Sequence, residues 1–186
     1  MNKIQPSVKL AEPIIFPEQC AETCREFLRQ HWQRRRWEMQ ESFGFHNLPL
    51  MTDEQLAHTI LAENLAVIAR AAAGETKYSE WNADYLAETI RSVMESIFAP
   101  SVLYSYQIQE GFWDTSFGQM VARARLWMRQ DELITLKEAA QALGVTIQAA
   151  SKAVKNGRLT RYVDPDAPQR QGRVLVSQQE VEGMKQ

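Results

Sequence analysis

Basic side chains are concentrated in one short stretch of the sequence. Between residues 135 and 161, five cationic residues stand against a single carboxylate, that of Glu138, so the stretch has a net charge of +4. The cationic residues are Lys137, Lys152, Lys155, Arg158 and Arg161. Lysine and arginine at this density are typical of surfaces that neutralise nucleic-acid phosphates. The whole chain has a formal net charge of −2, so the pattern predicts a local basic surface and not a protein that coats nucleic acid.

Two short helices are predicted to position these charges. The signals that define them are Thr135 and Glu138 as a T-x-x-E capping box, Gly144 as a stop, Thr146 as a second cap and Gly157 as a second stop. They predict helices over residues 136–143 and 147–156. Small alanines at 139, 140, 149, 150 and 153 would let the two helices cross closely. Two short helices joined by a Gly-Val-Thr turn are typical of a helix-turn-helix.

The residues that follow predict a β-hairpin and not a third helix. Leu159, Arg161 and Val163 alternate as in an edge strand, and residues 172–176 have the composition of a returning strand. The loop between them is rich in proline. We therefore expect a wing beside the two helices.

A terminal helix is predicted after the hairpin. Ser177 and Glu180 have the spacing of another capping box, and Val181 and Met184 supply an apolar side.

Two stretches of this region carry a family resemblance: Leu136-Lys-Glu-Ala-Ala-Gln-Ala-Leu-Gly-Val-Thr146 and Lys155-Asn-Gly-Arg-Leu159. They resemble the winged helix-turn-helix of the excisionase/MerR-like DNA-binding superfamily, relatives of which also occur in the terminase small subunits of tailed phages. The resemblance covers residues 133–184 and nothing before them. It implies that the protein binds double-stranded DNA with the second helix in the major groove.

The resemblance also implies a set of DNA-binding residues: Thr146, Gln148, Ser151, Lys152, Lys155, Arg158, Arg161, Arg170 and Arg173. Within this set, Gln148 would form two hydrogen bonds with adenine, and Lys152 would donate a hydrogen bond to guanine. Ser151 would form a hydrogen bond with either a donor or an acceptor on a base edge. The remaining lysine and the arginines would contact phosphates, with the two wing arginines on the flanking backbone or minor groove.

The chain departs from the family pattern at several positions: Ala149 and Ala150 leave little bulk to read bases, and the wing is longer and holds Pro165. Ile147 stands where relatives often carry a polar or basic residue. Asp164 and Asp166 in the wing would face phosphates unless they turn away.

Residues 1–130 are predicted to form a separate, aromatic-rich helical domain. All five tryptophans lie before residue 130, and Tyr162 is the only aromatic residue after it. Apolar spacing predicts helices over about 17–40, 52–74 and 79–98 and a fourth from 116, and the alternation over 102–108 predicts a strand or an extended arm. A single DNA-binding domain of about 50 residues makes few contacts with DNA. We therefore expect the helical domain at residues 1–130 to oligomerise, most simply as a twofold dimer.

Other polar groups of this domain leave alternatives open. The Arg34-Arg35-Arg36 run is typical of a solvated helix face, and a second phosphate-binding patch is the other interpretation. The same two readings apply to Arg123, Arg125 and Arg129. Cys20, Cys24 and His31 share one helical face, which favours core packing over a metal site because their spacing matches no zinc pattern.

The sequence as a whole predicts a mainly α protein: a helical domain at 1–130 and a winged helix-turn-helix at 133–186. We find no catalytic motif, so we expect neither an enzyme nor a bound cofactor or metal. A polar N-terminus, two cysteines and the lack of a ~20-residue apolar run predict a cytoplasmic protein outside the membrane.

The leading hypothesis is a sequence-specific transcriptional regulator of bacterial or phage type that acts as a homodimer. One alternative is an excisionase-like or terminase-small-subunit-like adaptor that recruits another enzyme to DNA. Another is a protein- or effector-binding module in which DNA binding is secondary.

Overall fold

The computed structural model describes residues 17–74, 83–98, 108–129, 133–167 and 173–185. These residues are mainly helical and include a small three-stranded antiparallel sheet. The chain divides into two compact units. Among the described residues, those from 17 to 124 form one unit, which we call the N-terminal unit, and those from 125 to 185 form the other, which we call the C-terminal unit. The domain boundary predicted at residues 130–133 lies shortly after this division.

The N-terminal unit is built from helices. They are α1 (Pro17–Phe43), α2 (Asp53–Ala57), α3 (Ile60–Ala72), α4 (Ala83–Phe98), a 3₁₀ turn at Glu110–Asp114 and the first part of α5 (Ser116–Arg129). Helix α3 packs against both α1 and α4. Fully buried core side chains include Leu65, Ile68, Val93, Met120 and Val121. Burial of these large apolar groups is the main stabilising contribution in this unit.

The single helix predicted over 52–74 is in fact two helices. The sequence predicts a capping box from the T-x-x-Q spacing of Thr52 and Gln55, and this box is present and opens α2. Thr59 then interrupts the helix, since its backbone is extended (φ −90°, ψ 152°) and its hydroxyl accepts a hydrogen bond from the Ala62 N–H at 3.2 Å. The prediction missed this second cap because the apolar pattern continues through it. As a result Ile60, expected on the apolar face, is 76% exposed.

The C-terminal unit contains short helices and a small sheet. Its elements are β1 (Leu133–Thr135), α6 (Leu136–Leu143), α7 (Ile147–Lys155), β2 (Tyr162–Val163), β3 (Val174–Ser177) and α8 (Gln178–Gly183). The strands lie in the order β1-β3-β2, and both pairs are antiparallel. Strand β1 was not predicted, because two apolar residues before a cap are too few to show alternation.

The core of the C-terminal unit lies between the sheet and its helices. One cluster contains Ile134, Ala139, Leu159, Val176 and Val181, and Leu126 joins a second with Leu133, Tyr162 and Leu175. The predicted close crossing of α6 and α7 is confirmed at three of its alanines, since Ala139, Ala140 and Ala150 are buried. Ala149, in contrast, is exposed.

The capping box predicted for α8 is wrong. Ser177 is the N-cap residue, but its side chain makes no capping hydrogen bond. The Glu180 carboxylate instead accepts hydrogen bonds from the Thr160 N–H at 2.7 Å and the Thr160 hydroxyl at 2.6 Å. Glu180 thus ties α8 to the segment after α7, a long-range contact that local spacing cannot reveal. Met184, expected on the apolar side of α8, is 41% exposed.

Some predicted features lie outside the described residues. They are the start of the helix predicted from residue 79, residues 102–107 of the predicted strand, Arg170 and residues 130–132. Within the described ranges, no helix has the length and apolar character needed to cross a membrane.

Candidate nucleic-acid interface

The candidate site begins with α6, a tight turn and α7, and their local geometry follows the predicted caps. The Thr135 hydroxyl accepts from the Glu138 N–H at 3.3 Å, and the Glu138 carboxylate accepts from the Thr135 N–H at 2.9 Å. Gly144 ends α6 with a left-handed backbone (φ 66°), which a residue with a Cβ adopts only with strain. The Thr146 hydroxyl then accepts from the Ala149 N–H at 3.2 Å and opens α7. The predicted bounds of α6 and the start of α7 are confirmed.

Helix α7 turns one side toward the protein and the other toward solvent. Ala150 is buried, and Ala153 and Val154 pack against the core shared with α6. The opposite side, which we call the α7 outer face, consists of Ile147, Gln148, Ser151, Lys152 and Lys155. With 3.6 residues per turn, these five positions lie along one side of the helix. Four of them are exposed, and Ser151 is half-buried.

The cations of α7 and of the segment just after it differ from other basic residues of the chain in their pairing. Lys152, Lys155 and Arg158 are exposed, and within the described part of the chain none forms an ion pair. Arginines of the N-terminal unit differ: Arg29 lies 2.7 Å from a carboxylate oxygen of Asp53, and Arg91 pairs with two glutamates of α4. The positive charge of α7 therefore remains available to an external anion.

Arg125 of α5 contacts the β2 side of the hairpin. The Arg125 Nη2 donates a hydrogen bond to the Arg161 carbonyl oxygen at 2.8 Å. The Arg125 guanidinium also lies 5.0 Å from the centre of the Tyr162 ring, a cation–π contact. The expectation that Arg125 is solvated or binds phosphate is therefore wrong. Tyr162, as the lone aromatic of this region, is the signal that could have pointed to such a partner.

The acidic residues of the wing divide into one buried and one exposed carboxylate. Asp164 is 5% exposed, and its carboxylate accepts a hydrogen bond from the Asp166 N–H at 3.0 Å. Its own N–H donates to the Arg173 carbonyl oxygen at 2.8 Å. Asp164 is thus turned away from the surface, whereas Asp166 is exposed.

The other arginines predicted to bind DNA are less exposed than Lys152, Lys155 and Arg158 where the structure describes them. Arg161 and Arg173 are both half-buried, and Arg170 lies outside the described residues. The structure thus brings Thr146, Gln148, Ser151, Lys152, Lys155 and Arg158 together at α7 and its end.

The arginine run of α1 is occupied by internal contacts. Arg34 and Arg35 both pair with Glu38, at 2.9 and 3.1 Å. Arg35 also donates to the Ser96 carbonyl oxygen at 2.6 Å, and Arg36 donates to that of Leu48 at 3.0 Å. These contacts do not support a second phosphate-binding patch.

The cysteines of α1 belong to the core of the N-terminal unit. Cys20 and Cys24 are 2% and 8% exposed, and the Cys24 thiol lies 3.7 Å from the Leu65 carbonyl oxygen. Burial, together with the neighbouring Cys20, raises the pKa of the Cys24 thiol to about 12. His31 is half-buried and stacks on Phe27; burial and the charge of Arg35 lower its pKa. These residues pack as predicted.

Comparison with known proteins finds no matching protein-family model, no matching curated protein and no matching solved structure. Any assignment of function therefore rests on the geometry and charge of the chain itself.

Proposed function

We propose that the C-terminal unit is a winged helix-turn-helix that binds double-stranded DNA. Helices α6 and α7 form the helix-turn-helix, α7 is the recognition helix, and the β2–β3 hairpin is the wing. An α-helix with its side chains is about 10–12 Å across, which matches the major groove of B-DNA, about 12 Å wide. The observation that carries the proposal is that the α7 outer face is exposed and that Lys152, Lys155 and Arg158, at this face and just after it, form no ion pair among the described residues.

The proposed contacts divide into base readers and phosphate binders. Gln148 is a bidentate partner for adenine, and Lys152 and Ser151 reach neighbouring base edges. Lys155 and Arg158, at the far end of α7, contact phosphates and fix the register. Thr146 sits at the helix start, where its backbone approaches the DNA. Arg161, Arg170 and Arg173 serve the flanking backbone.

We further propose that the protein acts as a homodimer, as a transcriptional regulator of bacterial or phage type. Large apolar side chains are exposed in α1 and the loop after it: Trp37 at 61%, Phe43 at 73%, Phe45 at 52% and Leu50 at 71%. We call these four residues the aromatic surface. The rings of Phe43 and Phe45 lie 6.3 Å apart. We infer that these side chains contact a second copy of the chain, because exposed apolar patches mark interaction sites and two DNA-binding domains on one duplex combine their binding free energies.

The backbone that presents the aromatic surface is fixed by hydrogen bonds. Gly44 turns the chain with φ 70°, its N–H donates to the Gln40 carbonyl oxygen at 3.1 Å, and Arg36 fastens Leu48. The four side chains are therefore presented by ordered backbone, which lowers the entropy cost of association.

The test is selection of binding sites from a random duplex library by the full chain, at two salt concentrations. We expect an enriched motif with two half-sites and an affinity that falls as salt rises. A complete lack of binding at low salt would contradict the proposal. Binding without enrichment, lost steeply with salt, would favour the adaptor hypothesis.

A further inference from the structure

Two aliphatic side chains are exposed at the start of α7, beside the residues proposed to read bases. Among the described residues of the C-terminal unit, the exposed large apolar side chains are Val145 at 44%, Ile147 at 51% and Met184 at 41%. Two of these three flank Thr146. The packing of α6 against α7 does not use Val145 or Ile147, because Ala139, Ala150 and their neighbours form that contact.

Ile147 shares the α7 outer face with polar residues. It is the first residue of α7, Gln148 follows it directly, and Ser151 lies one turn later on the same side. Ile147 and Gln148 point about 100° apart around the helix axis, with Ser151 and Lys155 between them, so a surface broad enough to contact the whole α7 outer face meets both. The isoleucine side chain forms no hydrogen bond, so it favours an apolar group at that surface and disfavours a polar one.

We propose that Ile147 reads the 5-methyl group of a thymine in the base pair next to the one contacted by Gln148. This inference rests on the proposed DNA-binding function and names one base of the site. Thymine is the base that presents a methyl group in the major groove, next to its O4 acceptor. Val145 in the preceding turn extends the same apolar contact.

The alternative base pairs fit this position poorly. Cytosine carries only a hydrogen in the place of this methyl group, beside its amino donor, and guanine presents two acceptors in the major groove. An isoleucine against either would remove water from a polar group without replacing its hydrogen bond, which weakens binding. The cations at Lys152, Lys155 and Arg158 supply the long-range attraction, so the first position of the helix needs no charge of its own.

The experiment uses the full chain and the duplex enriched by selection. Each thymine is replaced in turn by deoxyuridine, which removes only the methyl group, and affinity is measured by fluorescence anisotropy. We expect one thymine in each half-site at which the replacement weakens binding about fourfold, the effect of roughly 0.8 kcal/mol for one buried methyl-sized group. A parallel replacement of each adenine by 7-deazaadenine locates the base contacted by Gln148.

Two variants connect the effect to the side chain. With Ile147→Ala the thymine and deoxyuridine duplexes should bind equally, whereas with Gln148→Ala the fourfold difference should persist. Both residues are exposed, so both variants should keep the far-UV circular dichroism and thermal midpoint of the parent chain. Ile147→Val should retain a smaller deoxyuridine effect.

The possible failures are distinguishable. If the chain binds no duplex, the proposed function fails, and this inference fails with it. If the chain selects a site but no deoxyuridine replacement changes its affinity, only the thymine contact is overturned. The same holds if the effect persists in Ile147→Ala, or if the selected site has no thymine beside the adenine that Gln148 contacts.

Discussion

The charged side chains of this protein differ chiefly in whether they form an ion pair with another side chain. A hydrogen bond from Arg29 lowers the pKa of the Asp53 carboxyl group, and one from Arg34 lowers that of Glu38. Such exposed pairs contribute little to stability but hold their charges in place. Lys155 has no such partner within the described residues. A cation without a counter-charge attracts phosphate most effectively.

The first prediction concerns Lys155. Replacing it with alanine should weaken binding to all duplex sequences alike and reduce the slope of log K against log salt by about one unit, because one phosphate contact is lost. The measurement is fluorescence anisotropy of the full chain over a range of salt concentrations.

The matched control for Lys155→Ala is Arg91→Ala, which also removes one positive charge. Arg91 lies in α4 and pairs with Glu88 and Glu95, so its loss should leave the slope unchanged. An unchanged slope in Lys155→Ala would mean that this lysine contacts no phosphate.

The second prediction concerns the thiol of Cys24. Thiolate is the reactive form, and a pKa of about 12 leaves roughly one thiol in ten thousand ionised at pH 8. We expect Cys24 in the folded chain to resist iodoacetamide at pH 8 and to react rapidly in urea, as measured by mass spectrometry. Native modification at the rate of a free cysteine would contradict the burial of this residue.

At the scale of secondary-structure elements, short-range polar signals determined where helices begin and end. The T-x-x-E pattern and Gly144 predicted the bounds of α6 because capping links groups only three residues apart. The same signal misled at Ser177, where Glu180 bonds Thr160 instead. A sequence pattern identifies groups that can pair, and the fold decides between competing partners.

The third prediction compares these two caps. Thr135→Ala should lower the free energy of unfolding of the C-terminal unit by about 1 kcal/mol, because it removes the capping hydrogen bond to the Glu138 N–H. Ser177→Ala should change it by only a few tenths of a kcal/mol, since that side chain caps nothing. Both are measured by urea unfolding with far-UV circular dichroism.

Tryptophan fluorescence supplies an internal control for the capping experiment. Four of the five tryptophans precede the C-terminal unit and Trp127 belongs to it, so in a Trp127→Phe background the fluorescence reports on the N-terminal unit. Equal destabilisation by the two variants would show that the capping box at Thr135 contributes no special stability.

At the scale of the whole molecule, the chain has two compact units with different surfaces. The C-terminal unit exposes Lys152, Lys155 and Arg158, which form no ion pair with any described residue, whereas the N-terminal unit presents the aromatic surface. This division of properties suits a protein in which one unit binds DNA and the other binds a second copy of the chain. Two copies would then read two half-sites of one operator.

The fourth prediction tests the aromatic surface without DNA. The full chain should sediment as a dimer at micromolar concentration, and the double variant Phe43→Ser, Phe45→Ser should raise the dimer dissociation constant more than tenfold, because each buried phenylalanine contributes roughly 1.5–3 kcal/mol. The measurement is sedimentation equilibrium.

Ile60→Ser is the control for the dimer experiment. Ile60 is 76% exposed but lies at the start of α3, outside the aromatic surface, so its replacement should leave the dimer intact. A monomeric parent chain, or a double variant with unchanged association, would exclude this surface as the dimer contact.

The sequence by itself determined the helices with strong local signals, the residues of the α7 outer face and part of the hairpin, whose first strand is only Tyr162–Val163 where the alternation predicts a strand from Leu159. These features follow from 3.6-residue periodicity, capping and glycine, which act between residues close in the chain. It did not determine strand β1, the break at Thr59 or the partners of Arg125 and Glu180. Only the tertiary structure decided these, because each depends on groups brought together from distant positions or on which of several possible hydrogen bonds prevails. It also decided which charges are available, since Arg34 forms an ion pair with Glu38 and Lys155 forms none with the residues that the structure describes.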